Sequence, residues 1–137
     1  MGGCFIQRYV GTKAVAGEPV PIHALGCISS PFCLVKAIER SSANPILDSG
    51  LTKVMIKTFM EHLHEPLFLE MLKDMGIDPD AVLASKNVHD YNSRYSTILG
   101  GYKDVKEYYE ACSSKDVIKH IDIPTLSINS TDDPIIP

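Results

Sequence analysis

The residues able to do chemistry are few and scattered. Asp132 and Asp133 are adjacent carboxylates before Pro134, and by themselves they read as turn formers, since Asp bonds its own backbone and Pro fixes φ. His62-Leu63-His64 is an H-x-H pair. On a helix, positions i and i+2 point to different faces, so this pair lacks the i, i+4 spacing of a zinc-binding H-E-x-x-H, and no metal site is expected. Cys4, Cys27, Cys33 and Cys112 are widely spaced with no C-x-x-C. Two of them sit in apolar runs, which points to buried reduced thiols and a reducing intracellular compartment rather than a disulfide framework. Met55, Met60, Met71 and Met75 could line an apolar pocket or pack a helical core, because Met adapts to irregular apolar shapes.

The elements that would position these residues alternate. Gly3–Tyr9 reads as a helix closed by Gly11, followed by a turn-rich stretch with Gly17, Pro19 and Pro21. Ile22–Ser30 (IHALGCISS) reads as a short apolar strand covered on both faces and stopped by Pro31. Helices are expected over Leu51–Leu63, Leu67–Met75, Asp80–Ala84 and Asp104–Cys112, with Ser114 as the N-cap of another. His89–Gly101 is polar and reads as loop. Pro124 introduces a second strand, Thr125–Asn129. Two strands do not make a sheet that stands alone, so the strands call for neighbours the sequence does not supply.

Composition narrows the function classes. The 137 residues suit one domain, and 45 % hydrophobic with 22 % charged residues is a globular balance. The net charge of −4 argues against a nucleic-acid module, which would show a basic stripe. No apolar run approaches the roughly 18 residues of a membrane span.

The order of segments carries a resemblance. The run Ile123-Pro124-Thr125-Leu126-Ser127-Ile128-Asn129-Ser130-Thr131-Asp132-Asp133-Pro134 resembles the acid-bearing strand of an α/β-hydrolase. Gly101-Tyr102 with Tyr108-Tyr109 and Ser113 is similar to a G-[FY]-x-x-x-x-x-Y-Y-x-x-x-S segment, and Tyr91-Asn92-Ser93-Arg94-Tyr95-Ser96 to an F-D-x-x-[YF]-[ST] segment, in the YheT-like, embryogenesis-associated α/β-hydrolase family. Asn92 stands where that family has Asp, and Cys33 where it often has Asp in P-[FY]-D-L.

The resemblance implies a partial α/β-hydrolase fold: the helix after a nucleophile elbow, two late core strands and a helical cap. It places the cap at about residues 31–100 and core parts at 1–30 and 101–137 of one partial domain. It implies a serine hydrolase of carboxylic esters, acting on acylglycerols or other medium-chain lipid esters, with no metal or organic cofactor. Met1-Gly2-Gly3 matches the last three residues of G-x-S-M-G-G, the family's form of the nucleophile elbow, so the serine falls just before Met1. Asp133 takes the place of the acid that orients a histidine, and Met1 that of the residue whose backbone N–H serves the oxyanion hole in a full-length parent. Gly2 and Gly3 take the place of close helix–strand packing behind the elbow. All five histidines precede Asp133, and none matches the catalytic position. The chain alone is therefore expected to be inactive. The alternative is a non-catalytic pseudo-hydrolase interaction module, whose exposed sheet edges leave self-association open.

Overall fold

The computed structural model describes residues 2–136. The described residues of Met1–Arg40 and Tyr109–Pro137 form one unit and Ser41–Tyr108 a second.

The first unit is built on helix α1 (Gly2–Val15) and two parallel strands, β1 (Leu25–Ile28) and β2 (Thr125–Ile128). Leu25 pairs with Thr125 and Ile28 with Ile128. Helix α1 passes through Gly11 instead of ending there. A Cβ at Gly11 would lie 2.7 Å from the Val117 backbone oxygen, so this glycine serves close approach inside the helix. The helix is closed by Gly17, whose φ of 68° suits only a residue without a Cβ penalty. The Glu18 N–H donates to Lys13 O and the Gly17 N–H to Ala14 O, which satisfies the last-turn carbonyls.

Strand β1 is shorter than the apolar run suggests, and only one of its faces is covered. Leu25 and Cys27 are buried, while Gly26 and Ile28 are exposed. In the parallel register Leu126 and Ile128 share the face of Ile28, and all three are more than half exposed. Helix α2 (Leu34–Ser42), unread in the sequence, begins where the Leu34 N–H donates to the buried Ser113 Oγ at 2.9 Å. The residues after Ser114 form a turn and a single 3₁₀ turn, Ile118–His120, instead of an α-helix.

The second unit is helical. Three helices start on a proline, which fits the first helical position because its missing N–H would have no partner there. They are α3 (Pro45–His62), α4 (Pro66–Asp74) and α5 (Pro79–Leu83). Asn44 caps α3 by accepting from Leu47 N, which moves its start six residues ahead of Leu51. Gly76, at φ 66°, ends the turn after α4, and the Ile77 N–H donates back to Leu72 O at 2.8 Å. Ile77 and Leu72 then meet in the core with Phe59, Val82 and Tyr91.

His89–Gly101 is helical, not loop. It comprises α6 (Val88–Tyr91), a π-helical turn (Asn92–Ser96) and α7 (Thr97–Leu99). Two of its polar residues are turned inward: Asn92 and Thr97 are buried, and Asn92 Oδ1 accepts from Ser96 Oγ at 2.9 Å. Apolar periodicity misses a helix that buries amides and hydroxyls. Tyr91 and Tyr95 stand edge-on to Phe59, and burial pushes both phenols above their ordinary range. Helix α8 (Val105–Cys112) completes the set.

Candidate active site

Asp133 stands on the turn that follows β2, at the C-terminal end of the parallel pair. Ligands of open α/β sheets bind at that end of the strands. The Asp133 N–H reaches Ser130 O at 3.4 Å. Its Oδ1 accepts from the N–H groups of Ile136 and Ile135, both at 2.8 Å. These two donors hold the carboxyl below the usual Asp range, and the Arg40 guanidinium adds a smaller pull in the same direction. Such a carboxylate stays ionised through neutral pH. It has acceptor capacity beyond the two backbone bonds, which is what orienting an imidazole requires. Asp132 is more exposed and takes a hydrogen bond from the Ser130 hydroxyl, a local turn contact.

The start of α1 lies beside the same end of the strands. A Cβ on Gly3 would lie 2.6 Å from Ser30 Oγ and 3.5 Å from Cys27 Sγ, so the helix approaches the end of β1 as closely as a glycine allows. Gly2 has open space around it. Met1, whose backbone N–H the sequence placed in the oxyanion hole, lies outside the described residues.

Sequence reading missed the polar groups that tie these pieces together. Gln7 on α1 is fully buried. Its Nε2 donates to Ser127 Oγ on β2 at 3.3 Å, and its Oε1 accepts from Ser114 Oγ at 3.1 Å. Asn129, directly after β2, bonds the Ser30 backbone with both ends of its amide. The available signal was a polar residue at a strand end four positions before the acid.

The other candidates separate cleanly. His62 is exposed and pairs with Glu65 at 2.8 Å, which lowers the Glu65 carboxyl. Among the described residues no group of three or more His, Cys, Asp or Glu side chains is arranged to hold a metal ion. Also among them, no helix is long and apolar enough to cross a membrane. Met55, Met71 and Met75 pack against the core of the second unit, whereas Met60 is exposed. An open apolar groove of about 380 Å³ runs instead along α3, lined by Ile46, Leu47, Leu51 and Val54.

Comparison with known proteins finds relatives among abhydrolase-domain proteins. Phospholipase ABHD3 of Mus musculus is 27 % identical over 140 residues, covering 100 % of this chain and 32 % of the relative. Embryogenesis-associated protein EMB8 of Picea glauca is 28 % identical over 141 residues, covering 100 % of this chain and 29 % of the relative. Medium-chain fatty acid ethyl ester synthase/esterase 2 of Saccharomyces cerevisiae is 22 % identical over 153 residues, covering 98 % and 33 %. The chain has a partial α/β-hydrolase fold. The abhydrolase-domain relatives support the α/β-hydrolase superfamily. The chain spans about a third of the length of these curated relatives. No family model matches it, and no solved structure does.

Proposed function

We propose that this chain is part of a serine carboxylic-ester hydrolase of the YheT-like, embryogenesis-associated branch, and that Asp133 is its acid. One observation carries the reading. Asp133 is held on a turn at the C-terminal end of two parallel strands, with its carboxyl lowered by two backbone donors. In this reading residues 31–100 are the cap, and 1–30 and 101–137 are core parts. The nucleophilic serine and the histidine belong to the remaining two-thirds of a longer protein, in which the Met1 backbone serves the oxyanion hole. The substrates in this reading are acylglycerols or other medium-chain lipid esters; the names of the phospholipase and ethyl ester esterase relatives support the lipid-ester class. The chain alone has no triad-dependent turnover.

The test begins with the native protein, captured from its source by an antibody against residues 104–119. A mass of roughly 30 kDa or more, the size of a complete hydrolase domain, is expected. The captured protein should label with a fluorophosphonate, and Asp133→Asn in it should lower kcat on a medium-chain ester by a factor on the order of 10³ or more. A native mass near 15.1 kDa would overturn the fragment reading and turn attention to binding partners. Ester turnover by the 137-residue chain that survives replacement of every cysteine, yet is lost in Asp133→Asn, would sink the prediction of inactivity.

A further inference from the structure

We infer that Asn129 is a positioning residue that fixes the Asp133 turn to the end of the neighbouring strand. The inference rests on the reading of Asp133 as the acid, and it is argued from the backbone beyond the paired residues. The ladder between β1 and β2 ends with the Ser29 N–H donating to Ile128 O at 2.9 Å. One residue further, the side chain of Asn129 takes over the pairing. Its Oδ1 accepts from the Ser30 N–H at 3.1 Å and its Nδ2 donates to Ser30 O at 3.3 Å. A single primary amide thus satisfies both backbone groups of Ser30, which in a parallel ladder would need two residues of the neighbouring strand.

Two features show that this junction is held rather than incidental. Ser29 has φ 47°, a left-handed conformation that L residues other than Gly, Asn and Asp rarely adopt, and it persists only where its surroundings over-determine it. It sits between the last ladder bond and the Asn129 clamp. Ser30 is itself buried and lies against Gly3 at the start of α1. The clamp therefore connects three pieces: the helix start, the end of β1, and the chain entering the Ser130–Asp133 turn. Without it, β2 would lose its last fixed point four residues before the carboxylate.

The test uses nuclear magnetic resonance on the ¹⁵N-labelled chain. In the unmodified protein, the Asn129 side-chain amide protons should show Overhauser contacts to Ser30. Their absence from a folded spectrum overturns the clamp, and this needs no variant. In Asn129→Ala, the Ser30 amide should exchange at least about tenfold faster, since it loses its acceptor. The amides of Asp133, Ile135 and Ile136 should become more mobile in ¹⁵N relaxation, while Phe59, Leu72 and Val82 keep their shifts. Faster Ser30 exchange with unchanged order at Asp133 would reduce Asn129 to a structural bond and overturn the inference. In the captured hydrolase, Asn129→Ala should lower kcat about tenfold or more with KM held. Turnover that survives Asp133→Asn refutes the acid reading alone, because the relaxation data still judge the clamp.

Discussion

The buried carboxylate of Asp48 accepts a hydrogen bond from the Val88 backbone N–H at 3.1 Å, across 40 positions of sequence. It joins the first turn of α3 to the first residue of α6, where α6 leaves an N–H without an intrahelical acceptor. Removing one partner of a buried bond costs more than the bond itself contributes, since the other group is left unsatisfied. Asp48→Ala should destabilise the second unit by about 2 kcal/mol. Asp48→Asn, which keeps an acceptor oxygen, should cost markedly less. Urea unfolding followed by circular dichroism reads both, and equal losses would show that the charge, not the Val88 contact, matters.

Two helix glycines should respond with opposite signs to the same substitution. Gly11 faces Val117 so closely that an added Cβ would overlap its backbone oxygen, and α1 or the chain after Ser114 must shift. Gly11→Ala is expected to destabilise by about 1–3 kcal/mol. Gly50 lies inside α3 with open space where the Cβ would go. Gly50→Ala should stabilise by about 0.5–1 kcal/mol, because alanine loses less backbone entropy on entering a helix. Thermal unfolding of the two variants side by side decides this, and a shift of the same sign in both would refute it.

Strong punctuation made parts of the fold legible. Pro124 before Thr125-Leu126-Ser127-Ile128 marked β2, and Pro66 and Pro79 marked two helix starts. Other signals misled because one residue type serves two purposes. Gly11 looked like a helix end, but its missing Cβ makes room for Val117, and Gly17 supplies the end. The helical stretch after Asn87 was hidden because it buries Asn92 and Thr97, polar residues that blur the apolar period. The reading of Asp133 as the acid rests on the order of segments around it. The polar groups that join α1, β1 and β2 were not legible, since Gln7, Ser30 and Asn129 lie as far apart as 122 positions and only folding brings them together.

Acid should act on the Asp133 turn with a definite sign. Its carboxyl is lowered in the folded chain by the Ile136 and Ile135 N–H groups, so the folded state binds the proton less readily than the unfolded state. The stabilisation is complete above the ordinary Asp value of about 3.9 and is lost as pH falls through the lower folded value. In a ¹³C titration, Asp133 should have its midpoint below that ordinary value. Asp133→Asn should flatten this part of the stability curve between neutral and acid pH. A midpoint at or above the ordinary value would mean that the two backbone donors do not hold the carboxylate in solution.

Thiol chemistry should follow burial. Cys4 is fully buried, and its Sγ donates to Cys112 O at 3.2 Å. Burial pushes its thiol up, which lowers the thiolate fraction that attacks a disulfide reagent. Cys27 is buried under α1, with its Sγ 3.8 Å from Gly3 O. Cys33 is only half-buried, just before α2. With an aromatic disulfide reagent at neutral pH, Cys33 should react first in the folded chain. Cys4 and Cys27 should react only as the fold opens, so their rates should rise steeply with sub-denaturing urea while the Cys33 rate barely changes. Mass spectrometry of partly modified chains assigns each site. Modification of Cys4 at the rate of Cys33 would mean that α1 leaves its seat on β1 without global unfolding, and that the end of the strands bearing Asp133 is assembled only part of the time.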